Sequence, residues 1–358
     1  MKKIRFIAIA GVLFVFILGG LGGCKKKEGP AVFPDNVKVN VSSAISFPDL
    51  DKKKSMVLSG DIITGKDLYR HLRALVFISD CSAGMIQNTL NFVKSQAITK
   101  PGSFSYISPD DQQEKTMVFT NHYLYRKEAW DYGLLISDAK MGNAFLMVWN
   151  LSPLKVIAIL HPVAYNYRAD KQREAFIKVE YGEDDPKYDR TMTVSAINLD
   201  STNTRYVKRM KVFFGQKGDV VFLYGNFNMP NAYVLSVAEE TRGRSWSFKA
   251  KNNVKENIAV ALCGLPVLTV NTVDKIWSDY SMDKVLKRQI MTLFPNMPGE
   301  VVDTYVSDAV GIAYFDGNGF VSNDKDNPDP AKFTSSFIDM SDVNPWPPAS
   351  IETISIGF

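Results

Sequence analysis

Three stretches decide the fold of this chain: AFLMVW at residues 144–149, LKVIAIL at 154–160 and VVFLY at 220–224. Successive side chains of a strand point to opposite faces of its sheet, so a strand with one wet face alternates apolar and polar residues. These three stretches are apolar at nearly every position. They therefore predict a sheet that is covered on both sides where they lie.

Further strand-like runs, separated by turn clusters, extend from Thr116 to about Leu265, and their short connections predict antiparallel neighbours. The predicted strands are 116–125, 132–137, 144–149, 154–160, 176–181, 191–197, 207–214, 220–227, 233–238, 245–251 and 258–265. Strands 191–197 and 245–251 alternate cleanly, which predicts one wet face for each. Val37, Val39 and Val41 alternate likewise and predict an additional first strand.

One helix is predicted before the strand region in sequence and another after it. Leu72, Leu90 and Val93 fall on one stripe of a helix over about residues 65–98, which would cover one side of the sheet. A second amphipathic helix is predicted over residues 273–294. After a break at 295–299 we expect a strand over 303–315, a polar loop over 316–330 and a buried final strand over 354–358.

These elements predict an α+β protein. Its centre is a strongly curved, mainly antiparallel sheet, shaped as a half-barrel or barrel and covered by the long N-terminal helix. A helix-and-strand extension follows at the C-terminal end. The main body is predicted to span residues 37–294, and the extension, residues 295–358, is expected to pack on it.

The first 24 residues predict where the protein works. Lys2, Lys3 and Arg5 precede a short apolar core, and the segment ends Leu21-Gly22-Gly23-Cys24. This resembles the lipobox of bacterial lipoproteins, which implies cleavage after residue 23 and lipidation of Cys24, with residues 24–36 as a tether. In inner-membrane lipoproteins, an Asp directly after the lipidated Cys acts as a retention signal. Lys25 occupies that position here, so the resemblance favours the outer membrane, facing the periplasm or the cell surface.

Composition narrows the class of partner. Removing residues 1–23 leaves 39 basic against 38 acidic residues, and no dense basic patch remains to bind nucleic acid. Two cysteines, Cys81 and Cys263, remain after lipidation. In an oxidising envelope they could form one disulfide, and two buried thiols would look the same in sequence.

Sites for catalysis or metal are weakly indicated. The three histidines lack metal-ligand spacing, and no nucleophile and base can be paired, so an enzyme is the least favoured class. The loop DGNGFVSNDKDNPD, residues 316–329, is rich in oxygen ligands and could hold calcium, although it departs from the EF-hand pattern. Its candidate ligands are Asp316, Asn318, Asp324 and Asp326, and a solvated turn is the alternative.

One wider resemblance concerns residues 123–159. A strand carrying Tyr125 and Arg126, a Leu-Ile-Ser-Asp turn at residues 135–138 and a strand over 145–149 are similar to the strand order of the periplasmic lipoprotein carriers LolA and LolB. The resemblance implies a half-open barrel with a helical lid over an apolar cavity that holds acyl chains.

The sequence is compatible with two functions. The first is non-catalytic binding of a lipid or lipoprotein-like ligand in a β-rich cavity, because doubly apolar strands need cover on both faces. The residues expected to line that cavity are Phe145, Met147, Trp149, Val221, Leu223 and Phe227. The second is a structural or protein-interaction module of the envelope that binds partners through its loops, including the calcium-loop candidate.

Overall fold

A computed structural model describes most of the chain after residue 31. The described residues are 32–46, 65–96, 98, 100–109, 111–166, 174–199, 207–228, 245–265, 272–306, 311–322 and 326–358. The predicted signal peptide, Cys24 and the predicted strand at 233–238 lie outside these ranges.

Within the described ranges, the core is one open antiparallel sheet of thirteen strands, ordered in space as they are in sequence. Each strand pairs with the next, so β1 and β13 form the two edges. The strands are β1 (Gly102–Ile107), β2 (Glu114–Tyr125), β3 (Glu128–Asp138), β4 (Gly142–Leu151), β5 (Leu154–Leu160), β6 (Phe176–Gly182), β7 (Arg190–Leu199), β8 (Val207–Lys217), β9 (Val220–Asn228), β10 (Ser245–Asn253), β11 (Ile258–Gly264), β12 (Ala313–Asp316) and β13 (Gly319–Ser322).

The described ranges also contain seven α-helices and one 3₁₀-helix, Pro348–Ile351. The α-helices, in chain order, are α1 (Ser43–Ser46), α2 (Gly65–Ser95), α3 (Pro162–Tyr165), α4 (Val273–Ser278), α5 (Met282–Leu293), α6 (Gly299–Val306) and α7 (Ser335–Ile338). Polar residues within α2 are accommodated locally. The hydroxyls of Ser79 and Ser82 donate to the carbonyls of Leu75 and Ile78, four residues earlier, at 2.9 and 2.7 Å.

One side of the sheet, here called the apolar face, is lined with aliphatic and aromatic side chains from β2 to β12. Buried residues of α2, among them Leu72, Ile86 and Leu90, belong to the same cluster as these strand residues. Phe248 lies so close to the paired backbone of Gly225 that a Cβ there would approach its ring to 2.9 Å. Glycine at position 225 therefore leaves room for the phenylalanine ring.

Residues 32–46, here called the N-terminal strap, also pack on the apolar face. Phe33, Val37, Val39 and Ile45 are buried there. The alternating burial of Val37 and Val39 agrees with the sequence pattern, but the predicted strand is wrong, because this segment joins no sheet. Alternation here reflects contact with the cluster on one side only.

The opposite side, here called the tail face, is crossed by residues 326–358, here called the tail. Phe333, Met340 and Val343 pack over strands β9 to β12, and Ile354 and Ile356 pack over strands β2 to β7. The tail thus runs back across the sheet, against the order of the strands. The doubly apolar strands β4, β5 and β9 are covered on both faces, which confirms that prediction.

The C-terminal third differs most from the sequence prediction. The predicted strand over 303–315 is wrong: α6 ends at Val306 and β12 begins only at Ala313. The helix predicted over 273–294 is divided into α4 and α5, where Gly264 forms a β-bridge with Ser281. The predicted final strand at 354–358 packs as irregular chain, and β13 lies within the predicted polar loop.

Candidate functional site

The six residues predicted to line a cavity all lie on the apolar face, and none is more than 1 % exposed. Three belong to β4 and three to β9. Five strand spacings separate these strands, which places the two groups about 24 Å apart along the sheet. The predicted residues therefore mark two parts of one broad apolar face that is already packed.

Trp149 marks the place where the N-terminal strap enters the core. Its ring stacks on Phe119 and Tyr132, with centroids at 6.0 and 5.5 Å, and the Phe33 ring lies 5.3 Å away. The Trp149 indole N–H donates to the carbonyl of Val32 at 2.9 Å. The first described residues of the chain are thus fixed beside the indole.

The backbone of the strap is held by side chains. The amide of Val37 donates to Gln87 Oε1 at 2.8 Å, and the amides of Ser42 and Ala44 donate to the Oδ1 atoms of Asn252 and Asn257 at 3.0 and 3.1 Å. These three backbone donors of the strap are thus satisfied without a β-ladder.

Two ion pairs give the strap its direction. Lys94 Nζ lies 3.0 Å from Asp35 Oδ1, and Lys38 Nζ lies 2.8 Å from Asp80 Oδ1. Because the residues of α2 descend while those of the strap ascend, the strap runs antiparallel to the helix. All four side chains keep some exposure, so these pairs contribute little to stability.

A buried charged group lies where β2 and β3 meet α3. Lys115 Nζ donates to Asp111 Oδ2 at 2.8 Å, to Asp138 Oδ2 at 2.7 Å and to the carbonyl of Ala164 at 2.8 Å. All three charged side chains are 1 % exposed. Burial works to raise the pKa of Asp138, but the hydrogen bond from Lys115 and two backbone amides lower it overall. This arrangement ties α3 to the sheet and presents no group to a substrate.

Buried lysines also mark the tail face. Lys249 Nζ donates to the Met340 carbonyl at 3.0 Å and lies 4.9 Å from the centroid of the Trp277 ring. Lys251 Nζ donates to the Asp339 carbonyl and lies 3.3 Å from Asp342 Oδ1. The wet face predicted for residues 245–251 is therefore wrong, because the tail covers it. Sequence reasoning missed these contacts, which join segments about 90 residues apart.

Both remaining cysteines are free thiols, so the disulfide alternative between Cys81 and Cys263 is not formed. Tyr69 of α2 hydrogen-bonds the backbone of Cys263. Cys81 lies twelve residues further along the same helix, about 18 Å from Tyr69. Because Cys263 lies beside Tyr69, Cys81 is far beyond the reach of a disulfide with it. Burial raises the pKa of both thiols, which makes them poor nucleophiles.

The calcium-loop candidate is partly engaged by its own turn. Asp316 Oδ1 accepts from the amide of Asn318 at 2.8 Å, and Asp316 Oδ2 lies 3.4 Å from Lys332 Nζ. No group of three or more acidic, histidine or cysteine side chains suited to a metal occurs in the described ranges. Asp324 lies outside those ranges, so calcium binding stays a prediction.

This chain was compared with protein families, curated proteins and solved structures. Neither the scan against protein-family models nor the searches of curated proteins and solved structures found a match to this chain. Across the part of the chain that the structure covers, no helix is both long and apolar enough to cross a membrane.

Proposed function

We propose that this protein is a lipid-anchored lipoprotein of a bacterial envelope that binds an apolar chain without catalysis. The ligand would lie on the apolar face, in the place of the N-terminal strap. The proposed architecture is a half-barrel in which the sheet curves around α2, and α2 and the strap together form the cover. Cys24 would anchor the protein, with the outer membrane as the favoured location.

The supporting observation is the way the strap occupies the core. It bends at Phe33 and Asp35 and then continues without helix or turn to Val41. It places Phe33, Val37 and Val39 among buried apolar side chains, and it pairs with no strand. An acyl chain has a similar narrow, extended, apolar form. Because two surface ion pairs and a few side-chain hydrogen bonds hold the polar atoms of the strap, exchange with a ligand requires no strand of the sheet to separate.

Ligand binding can be tested with a matched pair of phenylalanines. Phe33 belongs to the strap, whereas Phe333 belongs to the tail on the other face. The Cys24→Ala protein, which carries no covalent lipid, would be extracted with organic solvent and titrated with a fluorescent polyunsaturated fatty acid. We expect co-purified acyl lipid, and several-fold tighter fatty-acid binding in Phe33→Ala.

Phe333→Ala provides the control, since it removes the same ring from a cluster outside the proposed site. Its fatty-acid affinity should equal that of the parent. A lipid-free extract, together with equal and negligible affinity in both phenylalanine variants, would contradict the proposal.

Anchoring is tested separately. Metabolic labelling with palmitate should mark the parent protein and be lost in Cys24→Ala, with unprocessed precursor accumulating. Cys81→Ala should retain the label, because Cys81 lies in α2 and has no role in anchoring. Label that persists in Cys24→Ala would exclude lipidation at this residue.

A second candidate function is a protein-interaction module of the envelope. It is favoured by the packed apolar face and by a cluster of apolar side chains on α5, at the residue that follows it and on α6, each 41–60 % exposed. The cluster consists of Met291, Leu293, Phe294, Val301 and Tyr305. Exposed apolar groups concentrated in this way are typical of interaction sites. A lipid-free extract combined with a partner lost in Phe294→Ser would favour this function.

A further inference from the structure

We propose that Lys178, Ser195 and Lys211 form a binding site for an oxyanion, a phosphate or carboxylate group, on the tail face beside Trp346. This site is on the side of the sheet opposite the proposed apolar ligand. The inference therefore stands or falls independently of the proposed function.

The register of three adjacent strands brings these residues together. Lys178 of β6 pairs with Ser195 of β7, and Ser195 pairs with Lys211 of β8. Residues paired in this way share one face of the sheet, and their neighbouring side chains are about 5 Å apart. The two lysines therefore flank the serine hydroxyl from both sides, at a backbone separation of about 10 Å.

Among the described residues no carboxylate forms an ion pair with Lys211, although Glu180 is near enough for its charge to raise the pKa of Lys211. Lys178 Nζ lies 3.0 Å from Glu180 Oε2, and the nearby Arg209 is paired with Glu352. Lys211 Nζ instead lies 4.0 Å from the centroid of the Trp346 ring. Within the described ranges, neither the Lys211 ammonium nor the Ser195 hydroxyl has a hydrogen-bond partner.

Burial makes the lack of an ion-paired carboxylate costly. Lys211 is half-buried, and the loss of water around its ammonium lowers its pKa below the usual value. A ring face offers weaker stabilisation to an ammonium than a carboxylate or phosphate oxygen does. An oxyanion placed over Ser195 would accept charge-assisted hydrogen bonds from both lysines and one from the serine hydroxyl. An oxyanion at this position would therefore supply the acceptor that Lys211 lacks.

Trp346 forms the wall of the site on the tail side. Asn226 Nδ2 donates to the Trp346 carbonyl at 2.8 Å, and the indole meets the edge of Tyr224, with centroids 4.8 Å apart. The indole is thereby fixed in place and half-buried. An organic group attached to the oxyanion would lie against this wall.

Calorimetry with inorganic phosphate tests the anion site directly. The purified protein should bind phosphate with a dissociation constant in the millimolar range. Lys211→Gln should weaken binding at least tenfold, and Lys211→Arg should retain it, because the positive charge is kept. Lys217→Gln is the matched control, since Lys217 lies on the same strand and is exposed; its phosphate affinity should be unchanged.

Three outcomes would overturn the proposal. They are no binding by the parent protein, equal binding in Lys211→Gln and Lys217→Gln, or loss of binding in both variants. Thermal unfolding of each variant shows whether it is folded, and Lys211→Arg provides the test if Lys211→Gln does not fold.

The source of the oxyanion can be separated with two further probes. Glucose 6-phosphate presents the group on a sugar, and short-chain phosphatidic acid presents it on a lipid. Whichever binds more tightly than inorganic phosphate identifies the attached group, and that gain should disappear in Trp346→Ala. Equal affinities for all three probes would contradict the role given to Trp346.

Discussion

The two faces of β10 are both buried, but they are stabilised in different ways. On the apolar face Trp246 and Phe248 pack among other apolar side chains. On the tail face Lys249 and Lys251 are only 9 % and 7 % exposed, and their ammonium groups donate to backbone carbonyls of the tail. One strand therefore contacts two kinds of interior.

This difference in side-chain chemistry affects how the position of each covering segment is determined. Apolar burial has no direction, so the apolar face accepts both a helix and an extended strap. A buried ammonium needs oxygen acceptors at fixed positions, so the lysines determine where the tail must run. We infer that the cover of the apolar face can be exchanged more easily than the tail.

The largest change in stability is expected from the buried group of Lys115, Asp111 and Asp138, at the edge of the apolar face. Lys115→Met would leave Asp111 and Asp138 buried side by side without a cation. We expect a loss of about 3–5 kcal/mol in the free energy of unfolding, measured in urea, because an uncompensated buried charge is strongly destabilising.

The same group offers an internal rescue. Adding Asp111→Asn and Asp138→Asn to Lys115→Met removes the repulsion, and most of the lost stability should return. If the triple variant were no more stable than Lys115→Met, the loss would have to come from packing rather than charge.

The second prediction concerns apolar burial itself. Leu223 of β9 is fully buried on the apolar face, whereas its neighbour Tyr224 is half-buried on the tail face. Leu223→Ala should cost about 2–5 kcal/mol in unfolding free energy. Tyr224→Ala should cost less, despite removing a larger side chain. The reverse order would show that the tail face is the better packed one.

A smaller loss is expected from a tail-face lysine. Lys249→Met keeps the apolar stem but removes the hydrogen bond to the Met340 carbonyl and the contact with Trp277. We expect a loss of about 1–2 kcal/mol in denaturant unfolding. Lys255→Met, at an exposed turn, should change stability by less than about 0.5 kcal/mol. Equal effects of the two variants would mean that the tail does not depend on Lys249.

Sequence patterns predicted the sheet better than its covers. Ten of the eleven strands predicted between residues 116 and 265 fall on described strands, because their hydrophobic patterns and short turns are local signals. Strand β1, GSFSYI, was missed although its serines alternate with Phe104 and Tyr106, which is the pattern of a strand with one wet face. The alternation of residues 245–251 was identified correctly, but alternation cannot show whether lysines meet water or carbonyls of a distant tail.

The oxyanion site shows the same limit. Lys178, Ser195 and Lys211 are each unremarkable in sequence, and only the register of three strands places them in one row. The two-residue turn between Lys217 and Val220 fixes only the next register, that of β8 with β9, in which Phe213 pairs with Tyr224. The position of Trp346 could not have been inferred in this way, because the tail follows no strand pattern.

The last prediction separates the two faces by pH. The pKa of Asp138 is lowered, so its contribution to stability is complete above the unfolded value of about 3.9 and is lost as the pH falls through the folded pKa. Burial raises the pKa of Tyr224 on the tail face to about 12. Its contribution is complete below about pH 10 and is lost as the pH rises from there to about 12.

Each group should therefore shape only one end of the stability profile. Measured by urea unfolding, Asp138→Asn should flatten the decline below pH 4 and leave the alkaline side unchanged. Tyr224→Phe should flatten the decline above pH 10 and leave the acid side unchanged. Each variant is the control for the other, because other titrating groups contribute equally to both. If either variant altered both ends alike, the loss of stability would reflect general unfolding of the sheet, and the two faces would not differ in their response to pH.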